Sequence, residues 1–384
     1  MPSARDLNPF RFSGPLAPEN MIDRDPESEE LLALADGGHS FRLVGPRRYG
    51  KTTLLRRVLE AAEQEQVATV LVDLQDVLSI GEIVVRIERG YDRLKGPIRR
   101  NVDNLLRSWN IGLALGGGGF TATLQRNPSV DAESVLLRLL EMPAALFEKD
   151  GTVSLIAFDE IQDVLAVPGA DGKIRSVIQH HGEAATYAFA GSAPGVMQQL
   201  FADPKRPLLE QAVPKNLAPL PLDEVGDYVA ARFEKSGREI GAAMTPMLEF
   251  TRGHPQRSMM LAHYLWQRTP RGSTADEGTW VAALDQAAAD SAPVMRAIWR
   301  NLTANERRVA RALAVTSTPL YSAETAVAVG IKRASIGRAL ESLVNNADVI
   351  HEGKRPRITD PIFELWLKTR GLTPESGDDG FDEA

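Results

Sequence analysis

Residues 40–58 read Ser-Phe-Arg-Leu-Val-Gly-Pro-Arg-Arg-Tyr-Gly-Lys-Thr-Thr-Leu-Leu-Arg-Arg-Val, and how this stretch is read decides the fold. Its centre, Gly45, Pro46, Arg47, Arg48, Tyr49, Gly50, Lys51 and Thr52, fits the pattern G-x-x-x-x-G-K-[ST]. A short apolar strand precedes it and a helix-forming run follows, which is the context a phosphate-binding loop requires. A glycine at each end lets the backbone curve into a nest of N–H groups. Together with the N-terminus of the following helix, that nest holds an anion. Lys51 is then placed to reach the β- and γ-phosphates of a nucleotide, and the Thr52 hydroxyl to ligate magnesium, with Thr53 beside it in the loop's first helical turn.

Working outward, residues 68–72 form a β-branched, apolar run ending at Asp73, a second strand whose terminal carboxylate suits a cap or turn as well as a site. Residues 80–106 have the spacing of one or two amphipathic helices. Residues 111–115 and 120–124 flank four glycines and predict an inserted hairpin; residues 130–149 predict a helix broken or kinked at Pro143. The second decisive stretch is residues 153–160, a nearly unbroken apolar run ending in Asp159 and Glu160. Such a run suits a central parallel strand buried on both faces, and it delivers two carboxylates where ligands bind in an open α/β sheet. With the loop at residues 45–52, Asp159 is expected to hold magnesium through Thr52 or water, and Glu160 to polarise the attacking water. Residues 187–192 form a further short strand ending at Ser192, a γ-phosphate sensor or the N-cap of the next helix. Residues 217–221 are expected to supply a fifth strand.

From residue 222 the pattern turns helical, with helices predicted over 222–236, 242–251, 255–267 and 279–288, and Pro293 opening a lead-in to the last module. A lone His254 in the Gly-His-Pro break suits a structural role. Residues 301–371 read as helix, helix, helix and β-wing, with helices over 304–315, 322–329 and 333–343 and two strands between 350 and 358. This is the pattern of a winged helix-turn-helix. Between residues 300 and 370 there are twelve Lys or Arg against seven Asp or Glu, so this module is basic within an acidic chain. Lys332, Arg333, Arg338, Lys354, Arg355 and Arg357 are its candidate phosphate contacts, unless the module docks a protein and these side chains are merely solvated. The expected organisation is an extended lead-in over 1–20, a phosphate-binding core over 21–221, a helical lid over 222–299, the winged helix-turn-helix over 300–371 and an acidic tail over 372–384.

The 384 residues carry a net charge of −7 and no cysteine. That excludes a disulfide framework, a thiol nucleophile and any thiolate metal site, and it argues against a wholly basic nucleic-acid coat. No run approaches the roughly 20 apolar residues of a membrane span, and the first residues lack a signal-peptide core, so a cytoplasmic protein with no membrane partner is expected.

With these residues on the page, the chain resembles the archaeal-type ATPase family of the AAA+/STAND P-loop superfamily. The carriers are Ile22, Asp23 and Arg24 before an acidic helix, the loop at 45–52, the strand ending in Asp159 and Glu160, Ala190-Gly191-Ser192, Gly253-His254-Pro255, and Asp360-Pro361-Ile362-Phe363-Glu364-Leu365-Trp366. The resemblance implies an α/β core with a parallel sheet flanked by helices, then an α-helical lid and a winged helix-turn-helix. It implies ATP and Mg2+ as cofactors, Asp23 and Arg24 near the adenine, and a nucleotide-sensing turn at residues 253–255 that includes Pro255. One departure stands out. Relatives often carry an arginine in the segment after the sensor strand, whereas Pro207-Leu208-Leu209-Glu210-Gln211 has none, leaving Arg206 and Arg257 as weak substitutes for an arginine finger. The expected function is a magnesium-dependent ATPase, slow without that arginine, working as a nucleotide-controlled switch with a winged-helix output and a nucleotide-dependent oligomer. The competing readings are a DNA-binding regulator that meets duplex DNA, or a protein-docking scaffold, with nucleotide mainly structural in either.

Overall fold

The structure is a computed structural model that describes residues 7–14, 21–109, 131–202, 212–316, 320–322, 330, 332–353 and 355–369. The expected hairpin at 111–124, the helix at 322–329 beyond its first residue, the segment 207–211 with Arg206, Lys354 and the acidic tail lie outside the described residues. The chain divides into two compact units. One comprises Ala17–Gly45 and Gly50–Leu217; the other comprises Met1–Leu16, Pro46–Tyr49 and Ala218–Ala384.

The first unit is built on a five-stranded sheet of β1 (Phe41–Val44), β2 (Ala68–Asp73), β3 (Ser154–Asp159), β4 (Ala185–Gly191) and β5 (Val213–Asn216), in the order β2-β3-β4-β1-β5. Every neighbouring pair is parallel, so all five strands end at the same edge, where the motif residues gather. All six residues of β3 and all seven of β4 are buried, the reason the sequence of both runs lacks alternation. Phe158, Tyr187 and Phe189 stack across the two strands with ring centroids 6.0–6.2 Å apart. The loop's helix, Lys51–Gln64, buries Leu54, Leu55, Val58, Leu59 and Ala62, one helical face.

Two expectations for this unit change. Helix Ala132–Asp150 runs through Pro143 without a break. A proline inside a helix costs about 3 kcal/mol, but Leu136, Leu139, Leu140 and Leu146 are buried around it, each contributing roughly 1.5–3 kcal/mol. Their burial offsets the lost hydrogen bond. The fifth strand is Val213–Asn216, upstream of the expected 217–221; it pairs with β1 from Phe41↔Val213 to Val44↔Asn216. As a polar edge strand containing Pro214, it offers no apolar run to read.

In the second unit, helices Leu222–Lys235, Met244–Thr251, Pro255–Arg268 and Glu277–Asn301 follow one another. The last runs 25 residues, joining the helix expected over 279–288 to the lead-in expected from Pro293, and opens on a capping box between Asp276 and Thr279. Helices Ala304–Val315 and Arg333–Asn345 and an antiparallel strand pair, Val349–Glu352 with Arg355–Ile358, lie close to where helices and strands were expected in this stretch. Helix Pro361–Lys368 closes the unit, with Trp366 against Trp299 at 5.9 Å. Residues 7–14 of the lead-in are held within this unit too. Phe10 is fully buried against Phe233, their rings 5.5 Å apart, and the Asn8 side chain donates to the His263 carbonyl at 3.0 Å. Among the described residues no helix is long and apolar enough to cross a membrane.

Gly253 has φ +73, and a Cβ there would lie 2.1 Å from the Leu220 carbonyl oxygen. Gly253→Ala therefore combines a left-handed backbone with a clash against main chain, a loss of roughly 2–5 kcal/mol in denaturant unfolding. Gly151→Ala serves as the control. It has φ +76 but open space around its Cβ, so only the backbone cost of about 1–2 kcal/mol applies.

Candidate nucleotide site

The loop between β1 and its helix begins at Gly45, whose N–H donates to Gly191 at 3.3 Å, and ends at Gly50, the helix N-cap at φ +88. That left-handed φ is the one position in the loop where the chain needs a glycine to turn into the helix. The buried Lys51 ammonium donates to the Gly45 carbonyl at 2.9 Å, so it lies back across the loop it serves. Thr53, next to it, is buried in the same turn.

Thr52 Oγ1 donates to Asp159 Oδ2 at 2.5 Å. This contact joins residues 107 positions apart, bringing the glycine-rich loop and the acidic strand end into one site. Asp159 is buried, and desolvation pushes its pKa up against the opposing Thr52 hydrogen bond. A cation bound here would reverse that direction. A hydroxyl and one carboxylate are the hard oxygen donors with which magnesium is usually held, the rest of its shell coming from water and phosphate oxygens. The pair therefore fits that ion, which Thr52 and Asp159 would hold. Asp73, by contrast, closes a turn: its Oδ1 accepts from the Gln75 N–H at 3.0 Å, and Arg86 Nη1 stands 3.8 Å from its other oxygen.

Glu160 follows at φ +50, a left-handed turn that swings the chain from β3 into a short 3-10 helix, Ile161–Ala166. Its Oε2 accepts from Ser192 Oγ at 2.7 Å, from the Ser192 N–H at 3.2 Å and from Gln162 Nε2 at 2.6 Å. Ser192, expected beside the γ-phosphate, thus contacts the carboxylate expected to act on water. Gln162 was not singled out from the sequence. Its only signal is its place two residues after Glu160, and nothing in the local pattern announces a 3-10 turn there.

Arg24 is the N-cap of helix Asp25–Asp36 at φ +82, after Asp23 at φ +47. It is buried and its guanidinium donates to Glu27, so Asp23 does not cap the helix with its side chain. Two successive non-glycine residues in left-handed conformation are unusual and mark a constrained turn.

Within the second unit, Tyr49 is buried with its ring edge against His254 at 5.1 Å, and Arg48, at φ +68, stands 3.9 Å from Asp360; Arg47 is exposed and Pro46 is buried. His254 caps helix Pro255–Arg268, its Nδ1 accepting from the Arg257 N–H at 3.4 Å, with Pro255 as the first helical residue. Burial pushes its pKa down to about 4, so it stays neutral at physiological pH. Arg257, weighed as a stand-in for an arginine finger, is fully buried and bidentate on Asp360, with Nε at 2.9 Å and Nη2 at 2.5 Å. It is committed within its own unit and cannot reach out as a finger. Asp360 also caps helix Pro361–Lys368 through the Ile362 N–H at 2.9 Å.

Of the candidate basic contacts, Lys332, Arg338 and Arg355 are exposed. Arg357 is largely buried beside Glu352 at 3.1 Å, and the Arg333 side chain lies outside the description.

A parallel sheet in this order, with the loop after β1, the carboxylates after β3 and the polar residue after β4, defines a P-loop ATPase fold. Comparison with solved structures places it more narrowly. The Walker-type ATPase of Pyrococcus abyssi is similar over 94% of this chain and 99% of its own, at 17% identity and a TM-score of 0.69. The Aeropyrum pernix ORC2 protein, in its ADPNP-ADP complexes, is similar over 93% of this chain and 95% of its own, at 15% identity and a TM-score of 0.59. The chain thus has the fold of an archaeal-type Walker ATPase along nearly its whole length. No family model matches it, and no curated protein matches it in sequence.

Proposed function

We propose that the protein binds ATP with magnesium and hydrolyses it, and that nucleotide state controls a winged-helix output. The observation that carries this reading is the Thr52–Asp159 contact at 2.5 Å. It brings a hydroxyl next to Lys51 in sequence onto a buried carboxylate, which supports the reading of residues 45–52 as a phosphate-binding loop. In this reading the loop N–H groups and Lys51 bind the phosphates, Thr52 and Asp159 hold magnesium, and Glu160 accepts a proton from the attacking water. Magnesium, when bound, neutralises charge on the phosphate oxygens. The nucleotide named in the ORC2 structure and the ATPase named from Pyrococcus abyssi support the choice of ATP. The test is phosphate release from ATP by the full chain, with magnesium and with excess chelator. Release that requires magnesium is expected; none under either condition would overturn the reading.

A second reading, DNA binding through the winged module, draws on the exposed Lys332, Arg338 and Arg355 in a basic segment. Arg338→Glu with Arg355→Glu is expected to abolish a mobility shift on duplex DNA at low salt. Removing each arginine that neutralises a phosphate should lower the salt slope by about one. Absence of any shift for the unaltered chain at low salt points instead to a protein partner.

A further inference from the structure

We propose that Gln162 is a positioning residue for hydrolysis: its amide holds the Glu160 carboxylate by one oxygen, leaving the other to meet the attacking water. The inference rests on the ATPase reading above. Three donors converge on Glu160 Oε2: Gln162 Nε2 at 2.6 Å, Ser192 Oγ at 2.7 Å and the Ser192 N–H at 3.2 Å. All three donate to Oε2, so among the described residues Oε1 is left as the oxygen for water. A carboxylate on a flexible stem loses rotamer freedom when it must work in one pose. Donors from two separate elements, the 3-10 turn and the end of β4, remove that freedom before substrate arrives.

Gln162 is itself fixed. Its second amide hydrogen points to Asp163 Oδ1 at 3.2 Å, and Asp163 Oδ2 accepts from the Asp76 N–H at 2.8 Å, tying the turn to the loop after β2. The amide has one tenable orientation, since the reverse would set its oxygen against two carboxylates. In that orientation Gln162 Oε1 is buried with no hydrogen-bond partner among the described residues. It also excludes a side chain at residue 191: a Cβ on Gly191 would come within 2.5 Å of this oxygen and 2.3 Å of Met197 Sδ. An orphan buried acceptor is destabilising, and an apolar side chain of similar length would avoid it. What the glutamine supplies here that an apolar side chain would not is its pair of amide hydrogen bonds, the shorter of them to Glu160.

The test uses the full chain and compares Gln162→Leu and Gln162→Glu with the unaltered protein. Gln162→Leu is expected to lower kcat for magnesium-ATP about 10- to 100-fold, with the KM for ATP and the affinity for a fluorescent ATP analogue within about twofold. Gln162→Glu keeps the length and polarity of the side chain but offers Glu160 no N–H, so its kcat should fall at least as far as that of Gln162→Leu, again with KM little changed. A merely structural role would instead lower nucleotide affinity and thermal stability together with kcat. Gln162→Leu turning over within twofold of the unaltered protein would defeat the inference alone, as would a loss of analogue affinity matching the loss of kcat. No phosphate release from the unaltered chain would defeat the ATPase reading and this inference with it.

Discussion

Lys51→Met is expected to abolish stable binding of magnesium-ATP while leaving the protein folded. Methionine keeps the buried apolar stem that Lys51 packs at the start of helix Lys51–Gln64 and removes only the ammonium. That ammonium donates to the Gly45 carbonyl at 2.9 Å. Truncating one partner of a desolvated charge pair costs roughly 2–5 kcal/mol, or about a 30-fold to several-thousand-fold loss of affinity. Titration of a fluorescent ATP analogue checks this, with thermal unfolding of the nucleotide-free protein as the control for folding. Affinity within threefold of the unaltered protein would mean that the loop does not hold a triphosphate.

Glu160→Gln is expected to do the opposite: nucleotide still binds, and phosphate release falls about 10²- to 10⁴-fold, the usual contribution of a positioned general base. The local geometry makes the substitution a clean one. Glu160 Oε2 accepts from the Ser192 hydroxyl at 2.7 Å and Gln162 Nε2 at 2.6 Å, and the carbonyl oxygen of a glutamine can accept both. What is lost is the second carboxylate oxygen, replaced by an amide that takes no proton. Single-turnover phosphate release and analogue binding, measured together, separate the two effects. Hydrolysis at an unaltered rate would remove Glu160 from the chemistry.

In the proposed function Lys51 and Glu160 divide the site between binding and reaction, and both are candidates from the sequence for the same reason. The loop's chemistry is local: glycine spacing, a lysine and a hydroxyl residue in eight positions specify a phosphate nest once a strand precedes and a helix follows. The acidic strand end is nearly as local, because a strand buried on both faces must be a continuous apolar run. The helices Ala304–Val315 and Arg333–Asn345 and the strand pair Val349–Glu352 and Arg355–Ile358 fall close to the bounds that helical spacing and a short turn suggest. Elements that depend on a balance between local cost and distant packing read less well. The helices through Pro143 and Pro293 continue because burial outweighs one lost hydrogen bond, and the edge strand at Val213–Asn216 exists only because β1 offers it a partner.

By itself, then, the sequence determined that this chain has a loop of the G-x-x-x-x-G-K-[ST] pattern between a strand and a helix, a buried strand ending in Asp159 and Glu160, and a basic segment after a helical stretch. The tertiary structure alone decided which residues meet. It joined Thr52 to Asp159, set Ser192 and Gln162 on one oxygen of Glu160, and committed Arg257 to Asp360 and so away from a finger role. The physical reason is the range of the interactions. Backbone and periodic preferences act over a few residues and are written in the local pattern. A hydrogen bond between side chains 32 or 103 positions apart depends on strand order and on the turn each chain segment takes as it leaves the sheet.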